Sequence, residues 1–403
     1  MLNGSIAGNG LREPVPRHGL RAAAGRECCH CFFTTHGDET RDGGPGRGRP
    51  APYSVFHDMT ITVRSRMSSP FLLAVIVQYG NWRDTALCVE SLLAGDVVPD
   101  RVVIVDNASR DGSAGSFLSW LRGGAGVAAP EFFSGMPVSK PVAFTELAEQ
   151  DLGEAPMPPT RCVYIRLSRN GGYAAGNNVG LRLGLRWGAD AFLILNNDTL
   201  VSREAVGALR DRLFACERPG LCGGLLRYRH EEQLVQCLAG GRTDPRTALS
   251  HIMGQGLTLE EARRVPRAHV EAAINYICGA CVMASREFVE SVGLLDEGYF
   301  LYCEEQDWAC RAAGKFDLAY APGALVWHRE GVSTGWNGRG PLALRPLLRL
   351  TASRLRCTWL HHRRWLPTVL AGIAYAAARL CVKKLWRRLP GSRGRSAGER
   401  GHA

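Results

Sequence analysis

The 403-residue chain lacks the roughly 20-residue apolar run that a membrane-crossing helix needs in its most apolar tail segment: Leu366–Ala378 offers 13 residues without a charge. Residues 1–30 hold arginines but no continuous apolar stretch, so the pattern of a secretory signal is missing. Acid is almost absent from the tail, where residues 340–403 hold 14 Lys/Arg against Glu399 alone. The body has no basic excess: residues 67–339 contain 26 basic and 31 acidic side chains. The net charge of +11 is thus a property of the tail. A slightly acidic body excludes the basic surface of a nucleic-acid binder, and no nucleic-acid partner is expected. The 14 cysteines are scattered. Cys278 and Cys281 form one CxxC, but a second pair at zinc-site spacing is missing. Cys28-Cys29-His30-Cys31 stands in low-complexity sequence, and free thiols in a reducing cytosol are the simplest expectation.

What is present is a folded-looking middle. Residues 1–66 are rich in Gly, Pro and Arg and bury too little to fold, so a disordered leader is expected, with Met59 and Met67 as alternative starts. From there the chain alternates buried strands and helices. Phe71–Val77 reads as a strand, Trp82–Ala94 as an amphipathic helix and Arg101–Val105 as a second strand, which together make a βαβ unit. Gly123–Thr160 reads as a long insertion with a short helix near Phe144–Leu152. Arg229–Ala272 is polar and weakly periodic, as in a flap or an acceptor-binding part. The expected fold class is α/β: a mostly parallel nucleotide-binding sheet flanked by helices, with a basic helical tail over 340–390 and disorder over 391–403.

Four short stretches carry chemistry. Ala191–Leu195 is an apolar strand ending in Asn196-Asn197-Asp198-Thr199, and open α/β sheets bind ligands at strand carboxyl ends. Asp198 is a hard oxygen donor suited to Mg²⁺ or Mn²⁺ and, through the ion, to a diphosphate. Asp106 ends another strand, where its carboxylate can accept the N3–H of a pyrimidine. Arg169-Asn170-Gly171-Gly172-Tyr173 opens a helix and reads as an anion site built from amides and one arginine. It is neither a Walker loop nor a dinucleotide fingerprint, because no Gly-Lys-Ser/Thr follows and the glycine spacing differs. Glu304, Glu305 and Asp307 precede a helix and suggest a carboxylate held as general base. His328 closes a strand and is a candidate for metal or phosphate.

The order of VDNASRDGS (Val105–Ser113), NGGYAAGNN (Asn170–Asn178), LNNDT (Leu195–Thr199) and FLYCEEQDWACRAAG (Phe300–Gly314) with His328 resembles the family 2 glycosyltransferases, above all the bacterial rhamnosyltransferase-like branch. The resemblance implies a GT-A domain over 68–338 and a metal-dependent, inverting transfer of a sugar, rhamnose or another hexose. It implies Asp198, Asn196 and His328 as metal ligands, and Glu305, with Glu304 and Asp307 as alternatives, as the base. Donor contacts would come from Gln78, Tyr79, Asp106, Asn107, Arg169, Asn170, Gly171, Gly172, Tyr173, Asn177 and Asn197. The implied partners are a dTDP- or UDP-sugar and a glycan or lipid-linked acceptor of cell-surface polysaccharide synthesis. The tryptophan- and arginine-flanked tail suits contact with a membrane surface through 340–390, hence a cytoplasmic protein at the inner face of the plasma membrane. Two other readings are a catalytically silent nucleotide-sugar binder or membrane scaffold, and a sugar nucleotidyltransferase. The latter needs a basic glycine-rich loop where this chain has Gln78-Tyr79-Gly80-Asn81.

Overall fold

A computed structural model describes residues 69–133, 138–231, 233–329 and 344–386. The expected leader 1–66, the junction at Gly340 and the tail 391–403 lie outside these residues. The chain begins with β1 (Leu72–Gln78), α1 (Trp82–Leu93), β2 (Arg101–Asp106), α2 (Ser113–Leu121), β3 (Phe144–Leu147), β4 (Cys162–Arg166) and α3 (Tyr173–Trp187). β5 (Ala191–Asn196), β6 (Thr199–Val201), α4 (Ala205–Phe214) and β7 (Pro219–Tyr228) follow. Then come β8 (Val235–Leu238), β9 (Gly240–Asp244), β10 (Leu249–Ile252), α5 (Leu259–Arg264), α6 (Arg267–Ala273), β11 (Tyr276–Ile277) and β12 (Cys281–Ser285). The last elements are α7 (Arg286–Val292), α8 (Glu304–Ala312), β13 (Asp317–His328), α9 (Leu344–His361) and α10 (Leu366–Trp386).

The main sheet runs β3-β4-β2-β1-β5-β12-β7-β13-β6, with β8 beside β7. The pairs from β3 to β5 are parallel, β12 is antiparallel to both its neighbours, and β7 and β13 are parallel again. β1 is apolar on both sides because both sides are covered. Leu72, Ala74 and Ile76 face one core with residues of α1, α2 and α4, while Leu73 and Val75 face the other with residues of α3, α7 and α8. Each such buried aliphatic side chain contributes about 1.5–3 kcal/mol relative to exposure. α3 lies against β1 because Gly176, Gly180 and Gly184 recur every fourth residue; a β-carbon at Gly180 would stand 2.5 Å from Val75 Cγ2. β2 and β4 extend the sheet to one side of β1 and β5 to the other. The crevice at the carboxyl ends of β1, β2 and β5 is therefore a topological switch point.

Three local expectations differ from the structure. The helix expected near Phe144–Leu152 is the edge strand β3, paired in parallel with β4, followed by a 3₁₀ turn at Glu149–Asp151. Pairing with the open edge of β4 outweighs local helical preference. The strand read over Tyr276–Ala284 breaks at Cys278–Ala280 into β11 and β12, which belong to different sheets. The two short strands read at Leu318–Ala321 and Ala324–Trp327 are one strand, β13, with an irregularity between Ala321 and Leu325. The polar stretch after Arg229 forms β8 to β10, α5 and α6, and β10-β9-β11 make a small antiparallel sheet. In the tail, α9 packs on the body: Ser353 Oγ donates to the Leu301 carbonyl at 2.9 Å, and Arg356 pairs with Asp296 at 2.7 Å. Among the described residues no helix is long and apolar enough to cross a membrane.

Candidate functional site

A cavity of about 730 Å³ opens at the switch point. Its sheet wall carries Asp198 and His328, brought together because β6 and β13 pair antiparallel with Thr199 opposite His328. Asp198 Oδ1 lies 3.3 Å from His328 Nε2. His328 Nδ1 faces Gln236 Oε1 at 2.9 Å, an acceptor with which a neutral ring would carry its proton on Nδ1 and keep the Nε2 lone pair for a ligand. Asn196 Nδ2 is 3.2 Å from the same Nε2. Carboxylate oxygen and imidazole nitrogen fit a small divalent cation. Among the described residues no three His, Cys, Asp or Glu side chains converge as a full cage. Mg²⁺ or Mn²⁺ would suit such a partial set, since these ions commonly keep waters and take phosphate oxygens as further ligands.

The second wall is the amino end of α8. Glu304 and Glu305 both line the cavity. Glu304 is buried, and its Oε2 has no hydrogen-bond partner among the described residues. Burial, reinforced by the neighbouring Glu305 charge, holds Glu304 well above the ordinary carboxyl range. Burial also raises Glu305, against the pull of backbone amides including that of Gly279. A β-carbon at Gly279 would fall on Glu305 Oε1, so the glycine makes room for the carboxylate. Desolvation makes both carboxyls more basic than an exposed glutamate, which favours proton abstraction by such a group.

Asp307 does not line this cavity. Its carboxylate meets Arg311 Nε at 2.8 Å and His361 Nε2 at 2.7 Å, tying α8 to α9. Burial alone would raise Asp307, but hydrogen bonds from His361 and Arg311 outweigh it and lower the group; the same bond raises His361. The clamp is complete between the two titrations. It weakens as pH falls through the lowered Asp307 value, and weakens again as pH rises through the raised His361 value. Asp307→Ala is expected to cost about 2–3 kcal/mol in a urea melt at pH 7, since the lost bonds are charge-assisted. Hydrogen exchange of α9 is expected to rise in the same variant; unchanged α9 protection would refute the clamp.

The donor candidates fall into two groups. Tyr79, Asn107, Asn170, Gly172, Tyr173 and Asn197 line the cavity with Asn196 and Asp198. Gln78, Asp106, Arg169, Gly171 and Asn177 do not. Asp106 is fully buried: Oδ2 accepts from Gln78 Nε2 at 2.6 Å and Oδ1 from the Ser109 amide at 2.7 Å. Asn177 is buried and donates to the Tyr173 carbonyl. The glycine loop does not act as an open amide cradle. Gly171 N–H goes to Asn107 Oδ1, Gly172 N–H to Asn170 Oδ1 and Tyr173 N–H to the Phe300 carbonyl. Gly172, at φ +92°, lets the loop lie against the Phe300 backbone, which leaves no room for a side chain. The loop thus fixes Phe300–Cys303 ahead of α8, and Tyr173 Oη donates to the Gly279 carbonyl at 2.6 Å. Lining residues outside the four motifs include Gln236 and Tyr276, together with Arg349 and Arg354 from α9. For Arg349 and Arg354 the only signal was the excess of arginines in the tail; Gln236 and Tyr276 had none.

No family model matches the chain. Two curated proteins of Mycobacterium tuberculosis, from different strains, are each named N-acetylglucosaminyl-diphospho-decaprenol L-rhamnosyltransferase. Each is 27% identical over 165 residues, 39% of this chain and 52% of the relative. The chain therefore spans about half the length of the curated relatives it matches. Among solved structures, GalNAc-T7 with UDP, GalNAc and Mn²⁺ aligns over 72% of this chain and 47% of its own at 14% identity and TM-score 0.44. Mannosyltransferase PcManGT from Pyrobaculum calidifontis, in complex with GDP-Man and Mn²⁺, aligns over 81% and 82% at 16% identity and TM-score 0.41. With its four motifs gathered in order around the switch point of a mostly parallel sheet flanked by helices, the chain has the expected α/β fold class and is similar, over 165 residues, to proteins named as rhamnosyltransferases.

Proposed function

We propose that the protein transfers a hexose, rhamnose by analogy with the named relatives, from a nucleoside-diphosphate donor to a hydroxyl of a lipid-linked glycan, with inversion. The observation that carries this reading is that the Asp198–His328 pair and the Glu304–Glu305 pair open onto one cavity. Asp198 and His328 would hold a divalent cation, Mg²⁺ or Mn²⁺, which supplies charge neutralisation for the departing diphosphate. Glu305, backed by Gly279 and desolvated, takes the proton of the acceptor hydroxyl as its oxygen attacks the anomeric carbon. Asn107 and Tyr173 keep the loop before α8 in place, so base and diphosphate site stay in register. Asp106, bonded to Gln78 and Ser109, acts on the base pocket by setting the positions of Tyr79 and Asn107. The buried Glu304, whose Oε2 has no partner among the described residues, favours an enzyme over a silent binder, because an unused buried carboxyl oxygen is a standing cost.

The test is direct. The full chain is incubated with Mn²⁺, a panel of uridine, thymidine and guanosine diphosphate-sugars and a short-chain prenyl-diphosphate N-acetylglucosamine acceptor. The expected result is a disaccharide product from a pyrimidine donor, of inverted anomeric configuration by NMR. Retained configuration would overturn the mechanism, and nucleotide-sugar formation from a sugar phosphate and a nucleoside triphosphate would overturn the transferase reading.

A further inference from the structure

Arg349 and Arg354 line the cavity but take no part in the chemistry above. Nearby arginines are already engaged: Arg356 with Asp296 at 2.7 Å, Arg311 with Asp307 at 2.8 Å and Arg182 with Glu297 at 2.7 Å. Arg349 instead lies over the Phe300 ring, 4.0 Å from its centroid. Among the described residues neither Arg349 nor Arg354 has a side-chain hydrogen bond or ion pair. Both come from α9, which packs on α8 beside the base carboxylates. Asp198 and His328 come from the sheet, at the turn after β5 and the end of β13. Two unpaired guanidiniums on a cavity wall call for a ligand with several anionic oxygens, the geometry that guanidinium recognises best.

The outer face of the same helices points to the rest of that ligand. Leu344, Leu348, Trp359 and Leu360 of α9 and Leu370 and Tyr375 of α10 are exposed. Arg363 and Arg364 separate these two apolar sets and carry no acidic partner among the described residues. A basic inner wall continuous with an apolar outer face is complementary to one molecule, an anionic head carried on a hydrocarbon chain. We propose that Arg349 and Arg354 bind the diphosphate of a prenyl-diphosphate-linked acceptor, whose chain leaves over the outer face of α9 and α10. This rests on the reading that the Asp198 side of the cavity holds the donor. It places the two diphosphates on opposite walls, with the acceptor sugar between them beside Glu305.

The experiment measures farnesyl diphosphate binding to the full chain by tryptophan fluorescence in EDTA, which disables the cation site. Trp359 and Trp365 flank the proposed chain path. Wild type is expected to bind, and inorganic pyrophosphate to displace the ligand. Arg349→Gln with Arg354→Gln is expected to weaken binding at least about tenfold, as loss of charge-assisted bonds requires. Asp198→Asn is expected to leave it unchanged, and farnesol to bind far more weakly than the diphosphate. Equal binding by wild type and the double variant, equal binding of farnesol, or no displacement by pyrophosphate overturns the proposal. So does mutual exclusion between farnesyl diphosphate and uridine or thymidine diphosphate with Mn²⁺, which would put both on one wall. Failure of the donor reading shows separately, as absence of Mn²⁺-dependent nucleotide binding in wild type.

Discussion

Replacing Glu305 by glutamine is expected to lower the turnover of the proposed sugar transfer by about 10²–10⁴-fold, the range of a lost general base, while donor binding stays within about twofold of wild type, because the proposed base would face the acceptor and not the diphosphate. The amide keeps the shape beside Gly279 and removes only the basic oxygen. Burial raises the Glu305 carboxyl, so the acidic limb of the pH–rate profile is expected above the range of an exposed glutamate. Activity falls as pH drops through that raised value, and the limb vanishes in the variant. Glu304→Gln is the control. Glu304 is the more buried of the two and has an oxygen without a partner. A carboxyl raised by burial favours the folded state below its unfolded value, and that contribution is lost as pH rises through the folded one. Glu304→Gln is therefore expected to stabilise the protein by about 1–3 kcal/mol at pH 8, the desolvation cost of such a group, with little change at pH 4. A larger rate loss from Glu304→Gln than from Glu305→Gln would move the base to Glu304.

The strands and motifs were legible because each is a local pattern. Ala191–Leu195 is apolar throughout because β5 is covered on both faces, and Asp198 could be placed at its carboxyl end by reading forward. The glycine loop was legible as a loop but not by its contacts. Glycines and amides point to an anion cradle until the partners of those amides are known, and here Asn107, Asn170 and Phe300 take them. Asp307 illustrates the same limit. Three acids at the start of one helix are alike in sequence, but α8 turns Glu304 and Glu305 to the cavity and Asp307 to α9. Gln236 was invisible because it meets His328 across 92 positions. The tail carried a visible excess of charge. Which of its arginines face the cavity depends on the docking of α9, held by Ser353, Arg356 and His361, and no pattern within the tail itself specifies that.

Asp198→Ala is expected to abolish the Mn²⁺-dependent part of thermal stabilisation by a pyrimidine diphosphate-sugar and to lower kcat/KM by about 10³-fold, some 4 kcal/mol of lost transition-state stabilisation. Asp198 is buried at the turn between β5 and β6, its backbone carbonyl accepts the Arg329 amide at 3.1 Å, and Oδ1 faces His328. A buried carboxylate beside an imidazole whose Nδ1 faces an amide oxygen would, with the ring neutral, be arranged to receive a cation. His328→Ala is expected to have a smaller effect, about tenfold, because a nitrogen ligand can be replaced by water, whereas loss of the carboxylate removes a formal charge opposite the diphosphate. Raising Mn²⁺ is expected to rescue His328→Ala in part and Asp198→Ala hardly at all. EDTA is expected to bring wild type down to the level of Asp198→Ala. Equal nucleotide-dependent shifts in wild type and Asp198→Ala, or full activity in EDTA, would separate the carboxylate from the cation and leave the diphosphate to be held by the cavity's arginines alone.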